Sequence, residues 1–467
     1  MPVNRSLSRR QFLKVSAIGA AGAALAACAA PRPAPTTGGE AQPTGPTAAP
    51  QAAGGVIKWA EFYSLLQDVN GKLNQDWIAG VVKQFEEANP GWTVEQEAIK
   101  WDQIDQKAIL DLTAGVDHDL MFSSPQLMAK HLKTETYIDL TPLIGQLDKA
   151  EQDDLNWSPG YKAASVGGKQ IGLATGVHTR TNVYNRDMFK EAGVDPDKPL
   201  ATLDEVIEVA KKTTKADQDI WGLGMYLGNS RATIELYYAP IVWAYGGDFY
   251  DAAAMKATLA NEASVKAVQW LYDLVYTHKV TPPYSFAADG TYDNLILQAF
   301  IDRKIAQGMG FGSYWIGAVQ SKDMFKDCFP AQPTCEPAEA GVMVQPGAAR
   351  AQFTNAWCMS IHKLSKNVDM AWKLMMTVFK PENLKTYPDA GLPARLSAWD
   401  APEYRSAFYQ TWLDAAKNGR PMPPTAYYAE LADTMAAAIQ EIMSKQADIP
   451  ATLQKFDDEW NSKYAGQ

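Results

Sequence analysis

Aromatic and polar side chains follow three predicted strands early in the sequence, at the points where the strands end. Phe62 follows the first strand, Trp101 and Asp102 the second, and Ser123 and Ser124 the third. A flat ring can stack on an apolar ligand face, and hydroxyl or carboxylate groups can hydrogen-bond polar ligand atoms. A buried polar group without a partner costs about 1–3 kcal/mol, so such groups also reject ligands that leave them unpaired. These residue types indicate binding chemistry, and sugars offer both kinds of surface.

The elements that must position these residues alternate between strand and helix. A strand over residues 56–59 is followed by "DWIAGVVKQFEEANPG", whose apolar residues recur at helical spacing. The strand "TVEQEAI", the helix "DQIDQKAILDLTAG" and the strand "HDLMFSS" come next. This βαβ order predicts a parallel α/β sheet. Ligands of such sheets lie outside the carboxyl ends of the strands, which is where the residues above are placed.

The remainder of the chain also mixes the two kinds of element. Strands are predicted near residues 170–173 and 181–184, and a helix begins at Arg186 or Asp187. Another helix begins after Thr202, with Glu205 completing a capping box. The carboxy-terminal third is predicted to be mostly helical. The sequence shows no internal repeat.

The amino terminus is typical of an export signal. Basic residues precede a short apolar run, which predicts a signal peptide over residues 1–27. Arg9 and Arg10, followed by "QFLK", fit a twin-arginine signal. "LAAC", which ends at Cys28, resembles a bacterial lipobox and implies a lipid on the Cys28 thiol. An ordinary Sec signal with a chance arginine pair and a chance cysteine is the alternative.

Residues 28–55 are rich in Ala, Pro, Thr and Gly, and Arg32 and Glu40 are the charged residues among them. Such a composition cannot bury a core and predicts a semi-extended linker. The formal charge of the whole chain is −10. Removing the four basic residues of the signal changes it to −14. An acidic body of this kind argues against nucleic acid and anionic membrane surfaces as partners, and the lipid anchor is then the expected link to the membrane.

The cysteines fit an oxidising compartment. Cys328 and Cys335 lie close together in "CFPAQPTCEP", which predicts a disulfide within a loop. Cys358, in "AWCMSI", is then predicted to be a buried free thiol.

Six segments in a fixed order resemble one known family. They are "GGKQIGLATGVHTRTNVYNRDMFKEAGVD", "TLDEVIEVAKKTT", "YGGDFYD", "AFIDRKIAQGMGFGSYW", "KLSKNVDMAWKLMMTVF" and "GLPARLSA". Together they resemble the extracellular solute-binding proteins of ABC importers, family 1, which include maltose-binding proteins. The chain departs from the family pattern at "RKIAQGMG" and in the cysteine-bearing insert near residues 328–337. The insert leaves the second crossover placed only to within several residues.

The resemblance implies a two-lobed α/β fold of the periplasmic-binding-protein type (type II), with hinge strands and a ligand cleft between the lobes. Lobe 1 is expected at residues 56–177 plus 344–385, and lobe 2 at residues 178–343 plus 386–467. Hinged closure on the solute, a permease partner in the membrane and a monomeric state are also implied. No cofactor or metal is expected. The location would be the outer side of the cytoplasmic membrane, in the periplasm or at the cell surface.

Further site residues come from the resemblance, and one comes from the strand-end argument. The resemblance places ligand contacts at the residues that align with the family's cleft positions: Ser123, Ser124, His178, Tyr314 or Trp315, Arg395 and Tyr428. Trp357 joins them from the strand-end argument. Asp248 follows a paired glycine and is foremost a turn residue, with a secondary expectation of ligand contact.

Several alternatives stay open at this point. The solute is expected to be a sugar or oligosaccharide, but a polyol, glycerol phosphate, peptide or small acid would fit the same fold. A secreted carbohydrate-active enzyme is a more distant alternative, because the sequence lacks a G-x-S-x-G, H-E-x-x-H or P-loop motif. The five histidines show no metal-ligand spacing: His118, His131, His178, His278 and His362. An adhesive or structural surface lipoprotein is the third alternative.

Overall fold

The structure is a computed structural model that describes residues 54–65, 69–286, 292–313, 324–325, 328, 333–335, 339–385 and 392–467. The predicted signal peptide, Cys28 and nearly all of the linker lie outside the described residues, as do Tyr314 and Trp315. The contacts divide the chain after Gln51, and Ala52–Gln467 form one unit.

Short strands alternate with helices along this unit. The strands are β1 Gly55–Glu61, β2 Trp92–Ala98, β3 Leu120–Ser123, β4 Ser165–Val166, β5 Lys169–Gln170, β6 Leu173–Ala174, β7 His178–Asn185, β8 Trp221–Gly224, β9 Tyr250–Asp251, β10 Lys256–Ala257, β11 Ile305–Gly312, β12 Ala340–Met343, β13 Thr354–Asn355 and β14 Cys358–Ile361. The helices are α1 Val69–Ala88, α2 Ile104–Ala114, α3 Met128–Lys133, α4 Thr141–Ile144, α5 Lys149–Asn156, α6 Pro159–Ala163, α7 Arg186–Glu191, α8 Leu203–Thr213, α9 Arg231–Thr233, α10 Ala239–Ala244, α11 Glu262–Tyr276, α12 Tyr292–Ile301, α13 Val368–Val378, α14 Pro381–Leu384, α15 Ala407–Lys417, α16 Tyr428–Lys445 and α17 Ile449–Tyr464.

The first sheet has the strand order β2-β1-β3-β14-β6. β1 pairs in parallel with β2 and β3, while β14 is antiparallel to β3 and β6. The predicted strand–helix alternation of this region is confirmed. Helix α2 ends where predicted, because Gly115 adopts a left-handed conformation with φ of 73° and its N–H caps the helix.

The second sheet has the strand order β12-β7-β11-β8, and β13 pairs with the start of β7. β7 is antiparallel to β11 and β12, and β8 is parallel to β11. The predicted capping box is present at α8, where the Thr202 side chain accepts from Glu205 N–H and the Glu205 carboxylate accepts from Thr202 N–H.

The chain crosses between the two sheets at two adjacent places. Residues 175–177 connect β6 to β7, and residues 356–357 connect β13 to β14. The two crossings are bonded to each other, because Thr175 N–H donates to the Trp357 carbonyl over 2.9 Å. Val177 N–H in turn donates to the Leu392 carbonyl over 3.0 Å, so a third segment lies beside them.

Separate apolar cores pack against the two sheets. The core of the first sheet includes Trp59, Phe85, Phe122 and Leu374. Two clusters lie on the side of the second sheet: one includes Trp243, Leu271, Met435 and Trp460, and the other Phe300, Phe311, Tyr409 and Trp412. Separate cores agree with two lobes, although the residue bounds given for the lobes stay a prediction.

The cysteine predictions are confirmed. Cys328 and Cys335 form a disulfide, and Cys358 is a buried free thiol on β14. The Tyr409 hydroxyl donates to the Cys328 carbonyl, which attaches the disulfide to α15.

Two further searches cover the described residues alone. None of their helices combines the length and apolar character needed to span a bilayer. Among the same residues, no group of three or more His, Cys, Asp or Glu side chains is arranged to hold a metal ion.

Candidate ligand-binding site

The carboxyl ends of β1 and β3 lie side by side, because the two strands are parallel neighbours with Ala60 opposite Met121. Phe62, directly after β1, lies 4.6 Å from the Trp357 ring and 5.5 Å from the Phe122 ring, measured between centroids. Phe62 is buried and Trp357 is partly exposed. The loop after β1 therefore contacts one of the crossings between the sheets.

The two serines after β3 have different surroundings. Ser123 is buried and its hydroxyl lies 2.9 Å from that of Ser360, on the neighbouring strand β14. Ser124 donates through its N–H and its hydroxyl to the Asp105 carboxylate, over 3.0 and 2.5 Å. The same carboxylate lies 2.7 Å from His131 Nε2. Asp105 thus holds the start of the loop after β3 from the first turn of α2.

This loop reaches a polar cluster that belongs to the second sheet. The Tyr428 hydroxyl donates to the Glu235 carboxylate over 2.6 Å, and the side chain of Gln126 lies close enough to that carboxylate to lower its pKa. Arg180, on β7, is close enough to interact electrostatically with Glu235. We call these four residues (Gln126, Arg180, Glu235 and Tyr428) the polar cluster.

Glu235 lies in a π-helical turn, Ile234–Tyr238, between α9 and α10. Such turns are frequent at functional sites, because they shift a side chain out of the regular helical register. Loss of hydration raises the pKa of Glu235, and Tyr428 and the two arginines Arg180 and Arg231 oppose that rise. Glu235 is a partly exposed residue, and these partners offset part of the loss of hydration of its carboxylate.

A narrow space lies beside the polar cluster. Its lining includes Gln126, Phe353, Asn355 and Met422, and it is too narrow to admit a water-sized sphere. His178 borders this region through the backbone, because β13 pairs Asn355 with His178, whose side chain is buried. Pockets for drug-sized ligands measure about 300–1,000 Å³. A disaccharide would therefore need the surrounding elements to separate further.

The structure gives two of the predicted site residues partners of their own. Arg395 is buried, donates through Nε to the Phe379 carbonyl, and pairs with Asp154 and Glu151 at 3.2 and 3.3 Å. Its predicted ligand contact stays a prediction, and these partners argue against it.

The Asp248 carboxylate also has partners within the protein. Its carboxylate pairs with Arg420 and accepts from Phe249 N–H over 2.9 Å.

Trp101 and Asp102 are exposed on the loop after β2, where 59% of the Trp101 surface is accessible. Tyr428 is the predicted residue that joins the polar cluster directly. The others named here are not brought to it by the described contacts.

The polar cluster contains residues that the sequence analysis missed: Gln126, Arg180 and Glu235. A signal for Glu235 existed, because the strand-end rule applied to the strand "WGLGMY" leads into the segment that contains it. Asp105 was not predictable, because an acid in the first turn of a helix is more often a favourable charge at the helix end.

Comparison with known proteins decides the family. The profile of the bacterial extracellular solute-binding proteins matches residues 70–385. This chain belongs to that family. The solute-binding protein is thus a binding component of transport and not an enzyme. The profile of the twin-arginine translocation pathway signal matches residues 6–26, which indicates export.

Sequence relatives of the solute-binding protein differ in the solute that their names give. A Sinorhizobium fredii protein named "Probable amino-acid ABC transporter periplasmic-binding protein" is 27% identical over 332 residues, which are 70% of this chain and 71% of that protein. The arabinooligosaccharide-binding protein of Bacillus subtilis is 24% identical over 291 residues, which are 60% of each. The family is shared, and the solute is not fixed by these names.

Solved structures confirm the fold of the solute-binding protein. An ABC transporter solute-binding protein of Thermotoga lettingae bound with α-D-tagatose matches with a TM-score of 0.71 at 19% identity, covering 87% of this chain and 98% of that one. Maltose-bound MalE3 of T. maritima matches with a TM-score of 0.69 at 19% identity, covering 87% and 99%. The predicted two-lobed α/β fold of the periplasmic-binding-protein type is confirmed.

Proposed function

We propose that this solute-binding protein captures a polyhydroxylated solute, a sugar or an oligosaccharide, between its two lobes and delivers it to an ABC permease. The observation that carries this proposal is the polar cluster. It joins a loop of the first sheet, through Gln126, to the second sheet and α16. A solute inserted there would touch both lobes, and contact with both is what drives hinged closure.

The charges of the cluster favour a solute without net charge. Glu235 faces Arg180 and Arg231, and Arg231 also pairs with Asp433 over 2.8 Å, so neither sign of charge is left in excess at this place. Hydroxyl groups can both donate to the carboxylate and accept from arginine, which suits such a mixed cluster. The rings of Phe62 and Trp357 at the edge of the first sheet would supply the apolar contact that sugar faces need.

A second candidate is an amino acid. The polar cluster places an acid and a basic residue near each other, and a zwitterion presents an ammonium and a carboxylate with matching signs. The Sinorhizobium relative named for amino-acid transport agrees with this alternative.

A thermal-shift screen separates the two candidates. The mature chain from residue 29 onward is heated with sugars, oligosaccharides, polyols, amino acids, peptides and phosphates. A solute at 100 times its Kd stabilises a binding protein by about 2.7 kcal/mol, so the Tm rises. A rise with carbohydrates supports the proposal. A rise confined to amino acids would replace the first candidate by the second.

We further propose that the protein is anchored outside the cytoplasmic membrane by a lipid on Cys28. The lipobox-like "LAAC" supports this, and the linker that follows would let the body move beside its permease. Mass spectrometry of the membrane fraction tests it, with a C28S variant as control. An unmodified Cys28 thiol, or a wild type released like C28S, would disprove the anchor.

A further inference from the structure

Glu61, the last residue of β1, is fully buried, and one of its two carboxylate oxygens accepts no hydrogen bond from the residues that the structure describes. Its Oε2 accepts from Ser64 N–H over 3.0 Å. Its Oε1 is buried and has no hydrogen-bond partner in the part of the chain that the structure describes. A carboxylate offers about four acceptor positions, so this side chain has capacity that the protein does not use.

Two buried acids of α2, beside the first sheet, have more side-chain hydrogen-bond partners than Glu61. Asp105 is bonded to Ser124 and His131, and Asp111 to Lys107 and His118. For Glu61, burial raises the pKa, and the groups that oppose the rise are the backbone N–H groups of Ser64 and Tyr63, with no cation among them.

The position of Glu61 places this oxygen at the sheet edge where ligands of parallel sheets lie. It ends β1 at the same sheet edge as Ser123 ends β3, because the two strands are parallel neighbours. From that edge the loop after β3 extends to Gln126 and the polar cluster. Phe62, the next residue, packs against Trp357 at the crossing between the sheets. An acceptor is thus placed beside flat rings on the ligand side of the first sheet.

We propose that Oε1 of Glu61 accepts a hydrogen bond from a hydroxyl group of the solute, so that Glu61 is a specificity-determining residue of the first lobe. This inference rests on the proposed function and deepens it. The solute would satisfy an oxygen that the protein leaves unpaired. A solute that lacks a donor there leaves the carboxylate unpaired and is rejected.

Three variants test the assignment: E61Q, E61A and the matched control E95Q, whose glutamate is exposed on β2. The Tm of each mature chain is measured at pH 7.5 without solute, and then with D-tagatose, ribitol, maltose, maltotriose and L-lysine as probes. Kd values for the probes that bind the wild type follow from titration calorimetry.

In E61Q the amide oxygen still accepts from Ser64 N–H while a buried charge disappears. The Tm of the solute-free protein therefore rises. The Kd for hydroxylated probes rises about 10-fold in E61Q and about 100-fold in E61A, because Gln places an N–H donor where Oε1 accepted, which a solute hydroxyl can meet only as an acceptor, and Ala leaves no polar partner. E95Q behaves like the wild type in both measurements.

Three results would overturn the assignment, each in a different way. If hydroxylated probes bind the wild type, E61Q and E61A with equal Kd, Glu61 is a turn residue and the proposed function stands. If L-lysine binds the wild type and E61Q abolishes that binding alone, the oxygen receives an ammonium group. If no hydroxylated probe shifts the wild-type Tm, the proposed function fails and the assignment fails with it.

Discussion

The two sides of the candidate cleft handle their charges differently. On the first sheet, Glu61 ends β1 with one oxygen unpaired, and no cation opposes the rise of its pKa. On the second sheet, Glu235 is surrounded by Tyr428, Gln126 and arginines. The first side thus has an unpaired acceptor to which a hydroxyl group of the solute could donate. The second offers a prearranged set of donors and acceptors that needs little adjustment.

The difference suggests a division of work between the lobes. An acid whose partners offset part of its loss of hydration costs less stability than one without a cation nearby, and the partners hold its geometry before the solute arrives. An unpaired buried acceptor costs stability and recovers it only when a donor is present. Under this interpretation the second lobe orients the solute, and the first lobe discriminates between solutes with and without a hydrogen-bond donor at the position of Glu61.

The largest effect is expected at a residue that belongs to neither side. R395A removes a buried guanidinium and leaves Asp154 with Ser397 as a donor but without its cation, so the free energy of unfolding should fall by about 3–5 kcal/mol. Urea denaturation measures the loss. Solute affinity of the folded fraction should stay unchanged, and a loss of affinity without a loss of stability would return Arg395 to the ligand site.

The second effect concerns the compensated side. E235Q removes the charge that Tyr428 and the arginines hold, so the Kd for the solute should rise about 10- to 100-fold. Titration calorimetry measures it. E430Q, on the same helix as Tyr428 but outside the polar cluster, serves as the control. An unchanged Kd in E235Q would remove the polar cluster from the site.

The third effect concerns the support of the loop after β3. D105N keeps one acceptor but cannot accept from both Ser124 groups and His131, which should cost about 1–2 kcal/mol locally. Amide hydrogen exchange in residues 123–127 should become faster. D102N, on the exposed loop after β2, should leave that exchange as it is. Equal exchange in D105N and the wild type would show that Asp105 does not hold the loop.

The smallest effect is a pH dependence. Because burial raises the pKa of Glu61, the folded state binds more protons than the unfolded state just above the ordinary value of 4.5. The contribution of this group to stability is present below pH 4.5 and is lost as the pH rises through its raised pKa. The Tm advantage of E61Q over the wild type should therefore shrink as the pH falls from 7.5 toward 4.5. An advantage that stays constant over this range would contradict a buried, unpaired carboxylate.

Local patterns were enough for most of the first sheet and for single features beside the second sheet. The capping box at Thr202, the left-handed Gly115 and the alternation of β1, α1, β2, α2 and β3 depend on neighbouring residues, so the sequence shows them directly. The Cys328–Cys335 disulfide was predictable for the same reason, since its loop is short and the compartment oxidising.

The candidate site was predictable only in part. The strand-end rule reached the loop of Phe62 and Ser124, because a parallel sheet aligns its carboxyl ends. It could not show that Asp105 accepts from Ser124, or that Arg395 forms ion pairs with Glu151 and Asp154. Those partners lie far apart in the chain.

The sequence by itself determined the export signal, the α/β class, the family and the list of residues at strand ends, because each rests on local order along the chain. The tertiary structure decided which of those residues meet. It alone joins Gln126, Arg180, Glu235 and Tyr428, which come from four separate elements, and it alone shows that Glu61 ends buried with an oxygen unpaired. The physical reason is that burial and charge compensation are properties of neighbours in space, and long-range packing sets those neighbours.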